Sequence, residues 1–362
     1  MSLRKINLIS WTMLMAMTMA GGACDPSGEL FDEGIELADD EGDVVDDLEK
    51  GSTPLTCADF EGGRRVLVAD ADALRRALSG AKPGDVIALA PGTYRGNFVL
   101  SASGAATARV VLCGDGPEAV TLDNARGLSG YTLQLKGVRY ATVAGMAVRG
   151  GDKTVIVEHS SDNLLANLDI SGSGQEGIHF WNFSSRNTLR DSTVHDTGVR
   201  NAGTGEGIYI GRAKDKWAEH TEGKPDKCDG NRILYNRVWN TTAECIDVKE
   251  GTTGGKITGN QFDGKGLSGE HFADSWLALK GNGYLVSKNT GKSSLNHGIE
   301  IQFRYKGFGQ NNVIRGNTLE VNAPGYGVMV QEGLEDLNLI SCDNRVIGAR
   351  SGFATVKCRD EG

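Results

Sequence analysis

One seven-residue pattern recurs eight times and limits the possible folds more than anything else in this chain. It reads YTLQLKG (131–137), KTVIVEH (153–159), EGIHFWN (176–182), EGIYIGR (206–212), ECIDVKE (244–250), SWLALKG (275–281), HGIEIQF (297–303) and YGVMVQE (326–332). Its third position is Leu133, Val155, Ile178, Ile208, Ile246, Leu277, Ile299 and Val328, and its fifth is Leu135, Val157, Phe180, Ile210, Val248, Leu279, Ile301 and Val330. Two apolar positions spaced by two describe a strand with one buried face. The shortest step, Leu133 to Val155, is 22 residues, and the longest, Ile208 to Ile246, is 38. A unit this small cannot bury its apolar edge alone, so the units must stack.

A second register runs between these strands. Leu164, Leu189, Ile233, Ile257, Val286 and Ile314 each stand three residues before Asn167, Ser192, Asn236, Asn260, Asn289 and Asn317. A small polar residue recurring once per turn can hydrogen-bond from coil to coil. These features predict an all-β parallel β-helix, a solenoid whose longer steps are coils carrying insertions at 196–205, 212–230 and 264–274. Insertions in solenoids cluster on one face, often the binding face. Asp70 or Asp72 can cap a short N-terminal helix ended by Gly80, which would cover one open end. Glycine, 51 of 362 residues against 7 prolines, fits many tight turns.

The termini read differently. Arg4 and Lys5 precede an apolar run from Ile6 to Ala20 that is too short for a stable membrane span, and Gly21-Gly22-Ala23 leads to Cys24. This resembles a bacterial lipoprotein signal over residues 1–24, which implies lipidation at Cys24. Plain secretory cleavage is the alternative. Residues 25–50 hold twelve acidic side chains and one Lys, so 25–52 reads as a disordered acidic tether. Of the chain's 38 basic and 47 acidic residues, Arg4, Lys5 and Lys50 and those twelve acids lie before residue 51, leaving 35 of each in the body. The body, 53–362, is expected to be one neutral domain and a monomer, and its charge argues against nucleic acid. The chain is expected to be exported, as a cell-surface or periplasmic lipoprotein or a secreted protein. Disulfides are then plausible among Cys57, Cys113, Cys228, Cys245, Cys342 and Cys358. The repeat favours Cys57–Cys113, Cys228–Cys245 and Cys342–Cys358, because each pair could sit on neighbouring turns.

At GDVIALAPGTY, followed by asparagine-punctuated coils, the chain resembles the right-handed parallel β-helix proteins of the pectate-lyase-like superfamily, over roughly residues 66–358. Those families include polysaccharide lyases, glycoside hydrolases, epimerases and adhesins. The stretch ECIDVKEGTTGGKITGNQF, followed by SWLALKGNG, is similar in layout to the alginate lyase and chondroitinase B family. With a two-residue insertion at 251–255, the resemblance sets Glu244 on the family's calcium-ligating Glu and Lys249 on its catalytic Lys. Thr242 stands where another family Glu belongs, and Lys280 and Gly281 stand near its Arg and His. Without the insertion, Glu244 meets the first family Glu instead. The paired-Asp and Gly-His-Gly motifs of polygalacturonases are absent.

Candidate site residues follow from the columns of the repeat, whose neighbouring coils lie ~4.8 Å apart. The fourth column, read as outward, carries His179, Tyr209, Asp247 and Glu300. The sixth carries Trp181, Lys249 and Lys280, and the first stacks Glu206 on Glu244. Carboxylates stacked so closely repel unless one takes up a proton or a cation neutralises them, and Ca²⁺ suits such oxygen clusters. Asp247, Glu244 and Glu206 are therefore the metal candidates. Trp181, Arg212, Arg304 and Glu300 are candidates for binding an acidic polysaccharide.

The leading expectation is a lyase that cleaves a uronic-acid polymer by β-elimination. Lys249 would be the base if Lys280 and burial depress its pKa. Lys280 or Ca²⁺ would neutralise the uronate carboxylate, and Tyr209 or His179 would serve the leaving oxygen. The alternatives are a non-catalytic carbohydrate-binding or adhesion β-helix, and a hydrolase or epimerase using Asp247 and Glu300.

Overall fold

The computed structural model describes residues 54–124 and 127–360. The calls on the signal segment, Cys24 and the acidic tether lie outside these residues. Among the described residues, no helix is long and apolar enough to cross a membrane.

The chain winds into a right-handed parallel β-helix with three stacks of strands. One face has ten strands, from Phe98–Leu100 to Gly352–Ala354, and carries all eight copies of the repeat. Its pairings join Leu133, Val155, Ile178, Ile208, Ile246, Leu277, Ile299 and Val328 into one column, as the sequence alignment has it. That column and the one through Leu135 to Val330 point inward and are buried. The other two stacks pass, for example, through Arg232–Leu234, Lys256–Thr258 and Leu285–Ser287, and through Arg237–Trp239, Gln261–Asp263 and Thr290–Lys292. In the early coils, single longer strands, Ala141–Arg149 and Leu164–Ser171, run through both stacks.

The asparagines form the expected ladder. Each Nδ2 donates to the next Oδ1 along Asn236, Asn260, Asn289, Asn317 and Asn344, at 2.8–3.0 Å. One coil departs from the alignment. Leu165, not Leu164, pairs with Leu189, and Leu168 rather than Asn167 donates its N–H to Ser192. Asn167 instead takes a left-handed backbone, φ 50°, and its amide reaches Leu55 O. A second ladder, not foreseen, joins Asn163, Asn187 and Asn231 at another corner.

The second repeat position shows how the interior tolerates irregularity. It is Gly177, Gly207, Gly298 or Gly327 in four coils, where the backbone of the next coil passes close. In SWLALKG it is Trp276, fully buried. Gly291 makes room for it in the stack between Phe262 and Leu319, since a Cβ there would lie 2.5 Å from the indole.

Asp70 caps the helix Ala71–Ser79 by accepting from Ala73 N–H, and Gly80 ends it. Its Leu74 and Leu78 pack into the core with Phe98 and Leu100 at the N-terminal end of the stack. Disulfides join Cys57 to Cys113 and Cys342 to Cys358, as the repeat favoured. The third expected bridge is absent: Cys228 and Cys245 are buried free thiols. Cys245 immediately precedes the strand Ile246–Val248, whereas Cys228 follows the neighbouring strand Ile208–Ile210 and its insertion. The two thiols therefore sit beyond opposite ends of two neighbouring strands of the same face and do not meet.

Candidate active site

A cleft of about 370 Å³ opens on the ten-stranded face at the coils of the strands Ile208–Ile210, Ile246–Val248 and Leu277–Leu279. Its floor is the outward side of the repeat. Glu206 and Glu244 stand where the strands start, Tyr209 and Asp247 in the middle, and Lys249, Lys280 and Gln302 where the strands end. The insertions form the walls. On the strand-start side are Gly203 and Thr204 from 196–205 and His271 and Ala273 from 264–274. On the strand-end side are Lys214, Asp215, Glu250 and Arg304.

Asp247 organises the floor. One carboxylate oxygen lies 2.6 Å from Lys249 Nζ and the other 2.6 Å from Lys280 Nζ. All three are largely buried, and the Lys249 ammonium lies 4.8 Å from the centre of the Tyr209 ring. Burial works against the Asp247 charge, but the two lysines outweigh it and hold the carboxyl below its usual range. Burial also works against the Lys249 charge. Asp247, followed by Tyr209 and Glu206, outweighs it and raises the ammonium well above its ordinary value. The expectation that Lys280 would depress Lys249 is therefore reversed, because Asp247 lies between them.

The carboxyls on the strand-start side behave oppositely. Burial, then Glu176 and Glu244, pushes Glu206 well up, and its Oε2 has no hydrogen-bond partner among the described residues. Burial, then Asp247, lifts Glu244 to about 7. The two ends of the floor thus differ: ammonium groups at one, readily protonated carboxyls at the other.

Carboxylate oxygens of Glu206, Glu244 and Asp247 lie within 4.8 Å of one another, as the stacking anticipated. They do not fit calcium. That ion takes about six to eight oxygens, and both Asp247 oxygens already accept from ammonium groups that would repel it. Thr242 offers no carboxylate and is wedged against Gly198 and Gly205 of the first insertion.

The other expected residues divide. Tyr209, Lys249, Lys280 and Arg304 line the cleft, and the Arg304 guanidinium is held by Gln302 Oε1 at 3.1 Å. His179 does not line it. It is 2 % exposed, its Nε2 lies 2.9 Å from Gly211 O, and burial lowers its pKa, so it is a neutral packing residue beneath Tyr209 and Trp181. Trp181 and Arg212 come together beside the cleft, with the guanidinium 3.9 Å from the indole centre. His220 stacks on the same indole, so the 212–230 insertion covers Trp181. Glu300 is buried below the floor and accepts from Ser275 Oγ at 2.5 Å and from Gln302. It does not face Asp247 across the cleft, so the two do not form a hydrolytic pair.

Lys214 donates its N–H to the buried Glu250 carboxylate and its Nζ to Arg304 O, tying two loops into one wall. His271, which stands on the opposite wall, escaped the sequence reading. Its only signal was that it lies in an insertion, and insertion sequence does not report which side chain turns inward.

Residues 117–279 match the family model described as periplasmic copper-binding protein (NosD). Among solved structures, the chain is similar to an alginate lyase from Paenibacillus sp. str. FPU-7, with 30% identity and a TM-score of 0.75 over 82% of this chain and 99% of that one. It shares its fold with pectate lyase Pel9A, at 17% identity and TM-score 0.64 over 85% and 81% of the two chains. It also shares its fold with a GH136 lacto-N-biosidase from Eubacterium ramulus, at 12% identity and TM-score 0.54 over 82% and 67%. No curated protein matches the sequence.

Proposed function

Because the chain belongs to the family of the Paenibacillus alginate lyase, we propose that it is a polysaccharide lyase that cleaves a uronic-acid polymer by β-elimination. The observation that carries this reading is the buried Asp247 shared by two lysines. With the Glu206 carboxyl pushed well above its usual range and Glu244 lifted to about 7, the two ammonium charges on the floor exceed the carboxylate charge beside them. On the strand-end wall Lys214 and Arg304 balance Asp215 and Glu250, so the surplus sits on the floor at Lys249 and Lys280. Such a surplus in a partly dry cleft fits a substrate carboxylate.

On this reading Lys280 and Arg304 hold and neutralise the uronate carboxylate, which acidifies the adjacent C5 proton. Lys249, in its neutral form, accepts that proton. Tyr209, whose phenol burial holds protonated, donates to the leaving oxygen. Because Asp247 raises the Lys249 pKa, only a small fraction of Lys249 is competent at pH 7, and activity should rise with pH. No step runs through calcium. Arg212, backed by the buried Trp181 indole, extends the polymer-binding surface along the same face. Two disulfides fit an extracytoplasmic, oxidising compartment. We take the protein to act there as a monomer, secreted or held by a lipid at Cys24.

The test is release of unsaturated uronate from alginate, pectate, glucuronan and glycosaminoglycans, followed by absorbance with and without chelator. Lys249→Ala and Lys249→Arg should lose most activity, since a guanidinium is a poor base, while Lys280→Arg should keep more. Near wild-type turnover by Lys249→Ala would remove the assigned base. Glycan binding without product from any polymer would favour the non-catalytic adhesion reading.

A further inference from the structure

His271 is the cleft residue with the least ordinary backbone. Its φ of 53° and ψ of 31° lie in the left-handed region, which a non-glycine residue occupies at a cost. The 264–274 insertion holds it there. Ser268 N donates to Thr242 O at 2.9 Å, and the turn closes through Gly269 N to Ala273 O at 3.1 Å. The imidazole Nδ1 lies 3.3 Å from Gly203 O on the facing insertion. A Cβ at Gly203 would come within 2.6 Å of that nitrogen, so the glycine is what admits the ring. A carbonyl only accepts, so Nδ1 is the donor, and in the neutral ring that leaves Nε2 as the acceptor. The side chain lines the cleft on the wall opposite Lys214 and Arg304.

We propose that His271 reads the hydroxyl edge of the bound sugar, accepting a hydrogen bond at Nε2. This inference rests on the uronate reading given above. In a pyranuronate ring, C5, which bears the carboxylate, lies across the ring from C2. A ring whose carboxylate meets Lys280 and Arg304 at the strand-end side turns its O2 and O3 toward the strand-start wall. His271 is therefore placed to distinguish sugars that differ in configuration at C2, such as mannuronate and glucuronate. It binds and selects; the proton transfers remain with Lys249 and Tyr209.

His271→Asn separates this role from wall building. Asn tolerates the left-handed backbone, and its amide can still donate to Gly203 O, but it has no atom at the Nε2 position. Binding of mannuronate and glucuronate hexamers would be measured by calorimetry in the Lys249→Ala background, and turnover in the wild-type background. For the preferred hexamer, His271→Asn should weaken binding and raise KM by about five- to tenfold, the loss of one hydrogen bond. It should leave kcat and melting temperature nearly unchanged and narrow the preference between the two hexamers. His271→Asn binding both hexamers as its parent does would overturn the proposal and leave the ring a wall residue. A fall in kcat at unchanged affinity would overturn it too. Should the Lys249→Ala parent bind a hexamer while the wild-type protein releases no unsaturated product from any polymer, the lyase reading fails, while the binding comparison still decides the role of His271. A parent that binds neither hexamer refutes both.

Discussion

Replacing Asp247 with Asn removes the one charge that two buried ammonium groups share. Breaking a buried ion pair by deleting one partner costs about 3–5 kcal/mol, because the remaining charge is left uncompensated. Here two cations lose their partner, but Glu244 is at hand. Burial and Asp247 keep Glu244 near 7, so without Asp247 its pKa falls and it ionises beside the lysines. That relief puts the expected loss at the lower end, about 3 kcal/mol. At roughly 2.1 cal/mol/K per residue for a body of about 300 residues, this lowers Tm by about 5 °C. The double variant Asp247→Asn/Lys280→Met, which also removes one surplus charge, should recover part of the loss. The same change acts on the reaction. Asp247 raises the Lys249 pKa, so its removal lowers that pKa and enlarges the neutral fraction at any given pH. The rising limb of kcat/KM against pH should move to lower pH even if its plateau falls. Calorimetric melting and a pH series of the absorbance assay measure the two effects. An unmoved limb would refute Lys249 as the titrating base, and a Tm within about 1 °C of wild type would refute the buried-charge argument.

Asn260→Ala should cost about 3 kcal/mol or more, seen in denaturant midpoints, because its buried amide serves Asn289 Oδ1, Ile233 O and Asn236 N–H at once. Glu244 carries the opposite pH signature from a paired carboxylate. Its folded pKa, about 7, lies above the unfolded value. Its contribution to stability is thus fully present below the unfolded pKa and is lost as pH rises toward and through 7. Glu244→Gln should accordingly melt near wild type at pH 5 and above it at pH 8; equal shifts at both values would contradict this account.

The alignment that puts Ile208, Ile246 and Leu277 in one column could be read from the sequence because each strand carries its own period-two signal. Burial then forces every copy into the same phase. The asparagine ladder was readable for the same reason, and it failed only at Asn167, where a local contact to Leu55 O won over the column. The stacking of Lys249, Asp247 and Lys280 also followed from the columns, since coil spacing fixes which outward residues meet. Sequence could not say that Asp247 would bridge both lysines, which reverses the expected shift of Lys249. Nor could it say that the 212–230 insertion would cover Trp181 and leave His179 buried. Those outcomes depend on how insertions fold back over the sheet, through contacts such as Lys214 to Arg304 O and His271 to Gly203 O. Such contacts join residues far apart in the chain and carry no repeat. The solenoid and its register were therefore written in the sequence by periodic burial, whereas the walls of the cleft, its charge balance and the separation of Cys228 from Cys245 were decided only when the coils and their insertions packed together.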